Sequence, residues 1–192
     1  MNKTIDYYDN NAELFISGTR DIDFTYTQDK FLSYLNEGDL ILDFGCGSGR
    51  DTKYFLSKGF KVEATDGSKE ICKYASEYTG IEVKQLLFED LDEVNKYDGI
   101  WACSSILHCD HDSLMKVMGL IHRALKDDGI LYTSFKYSDF EGERKERHFI
   151  DLTEETIKPY IEDYELIEQW ISCDARPGRQ DEKWLNIIVK KK

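Results

Sequence analysis

ILDFGCGSGRD, at residues 41–51, is the stretch that decides the fold. Its apolar start belongs to a run over 39–44 that predicts a short buried strand, and residues 51–58 have helical spacing. Glycine at every second position separates the two, and the missing side chains let a ligand approach the backbone. A strand, a glycine-rich turn and a helix are typical of a nucleotide-binding unit, although an ordinary tight turn could have the same sequence.

The rest of the chain alternates strand and helix patterns. Further strands are predicted at 60–65, 81–87, 97–102, 130–135, 164–172 and 184–189, and helices at 6–16, 26–35, 68–78, 113–125 and 153–161. Ser68 and Asp112 have side chains typical of helix N-caps. The alternation predicts parallel strands with helices on both faces, and the turn at Pro177 and Gly178 predicts a final hairpin. The fold class is α/β: a Rossmann-like doubly wound, mostly parallel seven-stranded sheet with an antiparallel C-terminal hairpin.

The predicted organisation is one domain over residues 1–192, since this length suits a single buried core. We expect an N-terminal helical lid at 1–37, a ligand-binding core at 38–136, and a substrate-side segment with the hairpin at 137–192. Ligands of open parallel sheets bind at the carboxyl ends of the strands. The loops that follow the strands are therefore expected to share one working face.

Composition and net charge limit the kinds of substrate and partner that we expect. A net charge of −13 repels long nucleic acid, so a small-molecule substrate is expected. The chain has no apolar run of membrane length and begins without signal-peptide features, which predicts a cytoplasmic protein, monomeric or homodimeric, without a membrane partner. Five cysteines at irregular spacing predict neither a disulfide framework nor a metal site.

Two acidic residues help to distinguish the ligand. Asp66 ends the second strand 21 residues after Gly45, where a carboxylate can accept hydrogen bonds from both ribose hydroxyls. Asp43 lies inside the apolar first strand, where an unpaired carboxylate is costly, so we expect it to have a function. A dinucleotide site uses Gly-x-Gly-x-x-Gly and a helix N-terminus that faces a pyrophosphate, which a nearby acid would repel. Gly-x-Gly-x-Gly beside an acid fits a cationic or zwitterionic ligand with a nucleoside end.

Five segments together resemble the successive motifs of the class I S-adenosylmethionine-dependent methyltransferases: ILDFGCGSGRD, VEATDGS, LFEDLD, YDGIWACSSILH and ALKDDGILYTSFK. Within that superfamily the chain is most similar to small bacterial methyltransferases of the tellurite-resistance type. The resemblance covers about residues 39–136 and implies S-adenosyl-L-methionine as the cofactor. The cofactor-binding positions that it implies are Asp43, Gly45, Cys46, Gly47, Gly49, Asp66, Gly67, Phe88, Glu89 and Cys103.

The resemblance also implies a role for each of these positions. Asp43 and the glycine loop hold the methionine end of the cofactor, and Asp66 holds the ribose. Phe88 and Glu89 lie at the adenine edge, where Asp90 competes with Glu89. The cysteine at position 103 lies beside the cofactor after the fourth strand.

Four of these positions also have a purely structural alternative. Asp43 could cap local backbone amides, and Asp66 could only begin a turn and a helix. Cys103 and Phe88 could be packing residues. Residues 50–51 are interpreted as the first turn of a helix, without a part in the chemistry.

His108, a few residues past the fourth strand, is the best candidate for a catalytic base. A neutral imidazole could take a proton from an oxygen or nitrogen acceptor, or it could only satisfy backbone groups at a helix start. Tyr8 of the predicted lid could flank a substrate or pack on the sheet. Nucleic-acid amino-methyltransferases carry an Asp/Asn-Pro-Pro-aromatic signature after the fourth strand, where this chain has ACSS at 102–105. Base methylation by that mechanism is therefore not expected.

Basic residues follow the last strands of the sheet. Lys136 and Tyr137 leave the fifth strand, two arginines follow at 144 and 147, and the hairpin turn carries Arg176 and Arg179. If that turn lies on the working face, these side chains could converge on an anionic group of the substrate. Alternatively, they only neutralise neighbouring acids as surface ion pairs.

The predicted function is methyl transfer to a small molecule that carries an anionic group, by in-line displacement. A non-catalytic S-adenosylmethionine-binding sensor or partner protein is the alternative. A nicotinamide-dependent dehydrogenase on a similar fold is disfavoured by the glycine spacing and by Asp43.

Overall fold

The computed structural model describes residues 3–192, so the first two residues of the predicted lid lie outside the described part. The α-helices in this part are α1 (Lys3–Asn10), α2 (Ala12–Ser17), α3 (Thr25–Leu32), α4 (Arg50–Ser57), α5 (Lys69–Thr79) and α6 (His111–Ala124). The strands are β1 (Leu40–Phe44), β2 (Lys61–Asp66), β3 (Val83–Gln85), β4 (Tyr97–Ala102), β5 (Leu125–Lys136), β6 (Glu141–Arg144), β7 (Arg147–Ile150), β8 (Tyr164–Cys173) and β9 (Lys183–Lys191). None of the helices formed by residues 3–192 combines the length and apolar character needed to cross a bilayer.

Seven of the strands form one sheet in the order β3-β2-β1-β4-β5-β9-β8. Strands β1 to β5 are parallel, and β9 is antiparallel to both of its neighbours, β5 and β8. The predicted fold class is confirmed. Since β8 then runs in the direction of β1 to β5, the turn between β8 and β9 lies at the same edge of the sheet as the glycine loop. The condition for grouping the basic residues on one face is therefore met.

Apolar side chains cover both faces of the sheet. On one face, α6 buries Leu114 and Ile121 against the strands. On the other face, Phe31 of α3 and Phe55 of α4 pack on Trp101 of β4, each with ring centroids 5.2 Å from the indole. This burial, together with the hydrogen bonds of the parallel ladders, holds the carboxyl ends of the strands in a fixed arrangement.

Two helices occupy the N-terminal segment, where the sequence predicted one helix over 6–16. The break is at Asn11, whose side-chain amide donates to the carbonyl of Tyr7 at 2.8 Å. Asparagine side chains that bond to nearby backbone favour helix ends over helix interiors. The prediction of one continuous helix over 6–16 was therefore wrong.

Of the two predicted helix caps, the cap of α5 is confirmed and the cap of α6 is wrong. Ser68 caps α5, as predicted, and its hydroxyl accepts the backbone N–H of Ile71 at 3.2 Å. The cap of α6 is Asp110, whose carboxylate accepts the N–H of Ser113 at 2.8 Å. The assignment of Asp112 as this cap was wrong, because the helix begins at 111 and Asp112 lies in its first turn.

A second sheet, the hairpin of β6 and β7, was not predicted. Its two turn residues, Lys145 and Glu146, have φ values of 49° and 64°. Two-residue turns of this left-handed kind usually contain asparagine or glycine, so the sequence lacked the expected signal.

The helix predicted over 153–161 is replaced by turns and a 3-10 helix at Lys158–Ile161. Pro159 has no backbone N–H to donate into a longer helix. The hydroxyl of Thr153 accepts the N–H of Thr156 at 3.3 Å, which satisfies the backbone locally without an α-helix.

Candidate active site

A cavity of about 520 Å³ opens at the carboxyl ends of the strands, with α1 on one side of it. Small-molecule sites typically have volumes of ~300–1,000 Å³. The predicted site residues on its wall are Tyr8, Gly45, Cys46, Gly47, Asp66, Gly67, Phe88, Glu89, Cys103, His108, Lys136, Arg176 and Arg179. The predicted residues Asp43, Gly49 and Tyr137 do not form part of this wall. Within residues 3–192, no three His, Cys, Asp or Glu side chains are grouped as metal ligands would be.

The glycine loop turns sharply over the end of β1. Gly45 has a φ of +81°, and a Cβ at this position would lie 2.5 Å from the Cβ of Ser105. The N–H of Gly45 donates to the carbonyl of Thr65 at 2.9 Å, which fixes the loop against the end of β2. Gly49 lies behind the wall as the N-cap of α4. Residues 46–48, between Gly45 and Gly49, line the cavity.

Asp66 ends β2 with its carboxylate at the cavity. Its two oxygens accept the backbone N–H groups of Ser68 at 3.0 Å and Gly47 at 3.1 Å. Burial raises the pKa of Asp66 to about 6, against the opposing effect of these N–H donors. Each oxygen keeps a lone pair that can accept a further hydroxyl. Gly67 lets α1 approach this point, since a Cβ there would lie 2.5 Å from Cδ1 of Ile5.

Asp43 lies behind the glycine loop and is only 2% exposed. Its carboxyl group accepts the Thr52 hydroxyl at 2.5 Å, which ties β1 to the first turn of α4. Burial raises the pKa of Asp43 to about 8, and the nearby Asp51 carboxylate adds to this effect. Asp43 stays a predicted cofactor-binding residue, in a position that supports the loop from below.

Asp51 is the centre of a buried hydrogen-bond network beside the cavity. Its carboxylate accepts Nε2 of Gln28 at 2.7 Å and Nε1 of Trp101 at 2.8 Å. Arg50 binds the same carboxylate through Nε at 2.7 Å and Nη2 at 2.9 Å. Both Arg50 and Asp51 begin α4, as interpreted, but both also line the cavity. Their assignment to the helix alone was therefore incomplete.

The sequence contains a partial signal for this network. Trp101 lies in a buried strand, where its indole N–H requires an acceptor. Gln28 is 2% exposed on the apolar side of α3, so its amide also requires a partner. Because these residues are 50 and 23 positions from Asp51, spacing alone could not identify the acceptor that they share.

The 3-10 helix Phe88–Asp90 forms another part of the cavity wall. Phe88 packs edge-to-face on Phe44, with ring centroids 5.0 Å apart, so it is also a packing residue. Glu89 lines the cavity and Asp90 does not, which favours Glu89 for contact with a ligand. Cys103 lies on the same wall, and burial raises the pKa of its thiol to about 12.

Tyr8 and His108 form a hydrogen-bonded pair on the wall. Oη of Tyr8 is 2.9 Å from Nε2 of His108, and Nδ1 of His108 is 2.7 Å from the carbonyl oxygen of His148. Because a carbonyl only accepts, Nδ1 carries the proton and Tyr8 donates to Nε2. Burial lowers the pKa of His108 to about 4 and raises the pKa of Tyr8. Both groups are therefore neutral near pH 7.

Three of the predicted basic residues on the wall have carboxylate partners. Lys136 and Arg179 both bind Glu182, the latter at 2.8 Å. Arg176 binds Asp174 through Nε at 2.8 Å and Nη2 at 2.5 Å. The ion-pair alternative therefore describes these three side chains, although all three still line the cavity.

The remaining residues of the predicted basic group divide between the cavity and the surface. The Tyr137 hydroxyl donates to Glu154 at 2.9 Å, away from the wall. Arg144 pairs with Asp151 and is also absent from the wall. Arg147 lines the cavity and forms no salt bridge with any of residues 3–192.

Known proteins share the sequence motifs and the fold. Residues 41–129 match the family described as "Methyltransferase domain". The putative methyltransferase YqeM of Bacillus subtilis is 28% identical over 117 residues, which are 55% of this chain and 47% of that protein. The chain thus spans about half the length of this curated relative.

Two solved structures cover almost the whole chain. The 1,6-didemethyltoxoflavin-N1-methyltransferase of Burkholderia thailandensis, with bound 1,6-didemethyltoxoflavin and S-adenosylhomocysteine, has a TM-score of 0.72 at 22% identity, over 97% of this chain and 89% of that one. A TehB-like S-adenosylmethionine-dependent methyltransferase from Corynebacterium glutamicum has a TM-score of 0.68 at 22% identity, over 97% of both chains. At these identities the likeness shows a shared fold.

Proposed function

We propose that this chain is a class I S-adenosylmethionine-dependent methyltransferase and that it transfers a methyl group from S-adenosylmethionine to a small molecule. One observation carries the proposal: a single cavity has the glycine loop and the Asp66 carboxylate on its wall together with the Tyr8–His108 pair. The first two groups suit a nucleoside, and the pair beside them can take up the proton that a nitrogen or oxygen acceptor loses.

The residues of the wall fit the cofactor. The free lone pairs of Asp66 suit the two ribose hydroxyls, and Gly67 keeps this end open to them. Phe88 and Glu89 contact the adenine edge of the cofactor. Residues 45–49 and Cys103 contact its methionine end. Asp43 acts by holding this loop on α4. When bound, S-adenosylmethionine supplies an electrophilic methyl group on a positively charged sulfur.

Tyr8 and His108 remove the proton from the acceptor atom. The Tyr8 oxygen gives its hydrogen to His108 and accepts one from Nη1 of Arg147 at 3.2 Å. One lone pair is left, and it can accept the N–H or O–H of the substrate. As the acceptor atom bonds to the methyl carbon, its proton passes to Tyr8 while the Tyr8 proton passes to Nε2 of His108. The carbonyl of His148 holds the resulting imidazolium through Nδ1–H.

Helix α1 acts as a lid over the reacting groups. Asp9 accepts the Ser68 hydroxyl at 2.5 Å, which ties the lid to the helix that follows Asp66. At its other end, Lys3 pairs with Glu143 at 2.8 Å on the β6–β7 hairpin. A lid bound on both sides excludes water from the methyl donor and holds Tyr8 against the pocket.

The acceptor is small and carries an anionic group. Support comes from the charge balance of the cavity wall, where five cationic side chains match five acidic ones although the chain has a net charge of −13. The cationic side chains on this wall, within residues 3–192, are Arg50, Lys136, Arg147, Arg176 and Arg179.

Calorimetry with S-adenosylmethionine, S-adenosylhomocysteine and NAD tests the cofactor assignment. We expect one site for either sulfur nucleoside and no heat of binding with NAD. Methyl-release assays on metabolite pools, with an Asp66→Ala variant as control, then test transfer. Binding of NAD without a response to the sulfur nucleosides would contradict the proposal, and binding of both nucleosides without turnover would support the sensor alternative.

A further inference from the structure

We infer that Arg147 is the anchor for a carboxylate group on the methyl acceptor. The inference rests on the proposed function and assigns its substrate class: a small carboxylic acid with a nucleophilic nitrogen or oxygen. Arg147 begins β7 and lines the cavity beside Tyr8 and His108. Its Nε is buried and has no hydrogen-bond partner among the residues that the structure describes.

Aromatic rings hold the guanidinium of Arg147 in place. The central carbon of the guanidinium is 4.4 Å from the ring centroid of Tyr7, 5.6 Å from that of Tyr8 and 5.2 Å from that of Phe149. Its Nη1 donates to the Tyr8 oxygen. Three rings and one hydrogen bond restrict the rotamers of a long side chain, so little flexibility is left to lose when a ligand binds.

The unused edge of Arg147 is the one that binds carboxylates elsewhere on this wall. Arg50 uses Nε and Nη2 to bind Asp51, and Arg176 uses Nε and Nη2 to bind Asp174. No hydrogen bond joins Nε or Nη2 of Arg147 to any of residues 3–192. This edge matches the two oxygens of a planar carboxylate.

Arg147 also differs in charge balance from the other cations of the cavity. Arg50, Lys136, Arg176 and Arg179 each lie within 4.0 Å of a carboxylate oxygen, whereas Arg147 has no such partner in the described part of the chain. A guanidinium keeps its charge at any physiological pH. The positive charge of Arg147 is therefore left for a substrate anion to neutralise.

The position of Arg147 connects anion binding with the chemistry. Its Nη1 and His108 share the oxygen of Tyr8, the atom proposed to receive the acceptor proton. A carboxylate on Nε and Nη2 would lie across the guanidinium from Nη1, so its molecule would have to extend past the guanidinium to reach this oxygen. The nucleophilic atom of the substrate should then lie several bonds from the carboxylate.

The test uses the S-adenosylhomocysteine complex of the full chain and the ¹⁵Nε–¹Hε NMR signals of its arginines. Acetate and benzoate are titrated, with acetamide and benzamide as neutral counterparts and phenyl phosphate as an alternative anion. We expect a saturable shift of the Arg147 signal with a carboxylate and none with the amides. The signal is assigned by its loss in Arg147→Lys.

Because Arg147→Lys lacks the reporter signal, carboxylate binding to the variants and to the wild type is compared by calorimetry with the same acids. Arg147→Lys should weaken this binding at least about tenfold, because the planar guanidinium is lost although the charge is kept. Arg144→Lys, on the neighbouring strand and off the cavity wall, should leave it within twofold. Calorimetry with S-adenosylhomocysteine verifies that both variants are folded and loaded.

Failure of the wild type to bind S-adenosylhomocysteine would refute the proposed function. Normal nucleoside binding without a saturable shift from either carboxylate would refute only the anchor, as would equal binding in Arg147→Lys. A saturable response to phenyl phosphate alone would overturn the carboxylate assignment.

Discussion

Replacing Asp66 by asparagine tests both the affinity for the cofactor and the pH dependence of stability. The carboxylate is proposed to accept both ribose hydroxyls while it already accepts the N–H groups of Gly47 and Ser68. Hydrogen bonds to a charged group contribute about 1.5–3 kcal/mol each. Taking the lower value for two bonds gives ~3 kcal/mol, or roughly a hundredfold increase in the Kd for S-adenosylhomocysteine.

The same substitution should also remove the pH dependence that Asp66 gives to the stability of the cofactor-free fold, while it leaves one of the two N–H groups facing an amide NH2. Burial raises the pKa of Asp66 from 3.8 to about 6, so the unfolded chain ionises at a lower pH than the folded one. As pH rises from about 4 to about 7, the wild type therefore loses stability relative to an asparagine variant that does not titrate. A shift of about two pKa units corresponds to roughly 3 kcal/mol in the free energy of unfolding.

Two assays measure these effects. Titration calorimetry gives the Kd for S-adenosylhomocysteine, and urea unfolding at pH 4.5 and pH 7.5 gives the change in relative stability. Asp90→Asn is the matched control, because Asp90 lies close in sequence to the wall residue Glu89 but off the wall itself. A Kd for Asp66→Asn within fivefold of the wild type would refute the ribose assignment. Equal pH dependence of unfolding in the two proteins would refute the claim that burial raises the pKa of Asp66.

Three further substitutions test other parts of the account. Tyr8→Phe removes the donor to His108, and should lower the single-turnover rate of methyl transfer by about a hundredfold with an unchanged Kd for S-adenosylhomocysteine; an unaltered rate would exclude the relay. Gly45→Ala places a Cβ 2.5 Å from a neighbouring side-chain atom at a φ of +81°, and should cost about 2–3 kcal/mol in urea unfolding; a loss below ~0.5 kcal/mol would show that the loop relaxes. Gln28→Ala leaves the buried Asp51 carboxylate one donor short, and should cost about 1–3 kcal/mol by the same assay, whereas unchanged stability would mean that water replaces the amide.

The fold could be predicted because its signals are local. The central strands β1, β4 and β5 contain apolar runs, and alternation of strands and helices restricts the order in which the strands pair. The β6–β7 hairpin was missed because Lys145 and Glu146 adopt a turn that their side chains do not favour.

The arrangement of the site was most predictable where residues follow a strand directly. Asp66 and the glycine loop come together because β1 and β2 are parallel neighbours. The pairing of Tyr8 with His108 joins positions 100 residues apart, and no periodicity encodes it. Whether a cation is free or paired depends on side chains from other elements, so the sequence could not distinguish Arg147 from Arg176.

Transfer of a ¹³C-labelled methyl group from S-adenosylmethionine into a pool of small carboxylic acids tests the central claim most directly. The account predicts a new ¹³C-methyl signal in a carboxylate product, formed with an equal amount of S-adenosylhomocysteine. Tight binding of S-adenosylmethionine without its consumption, across pools of acids and of neutral metabolites, would contradict it.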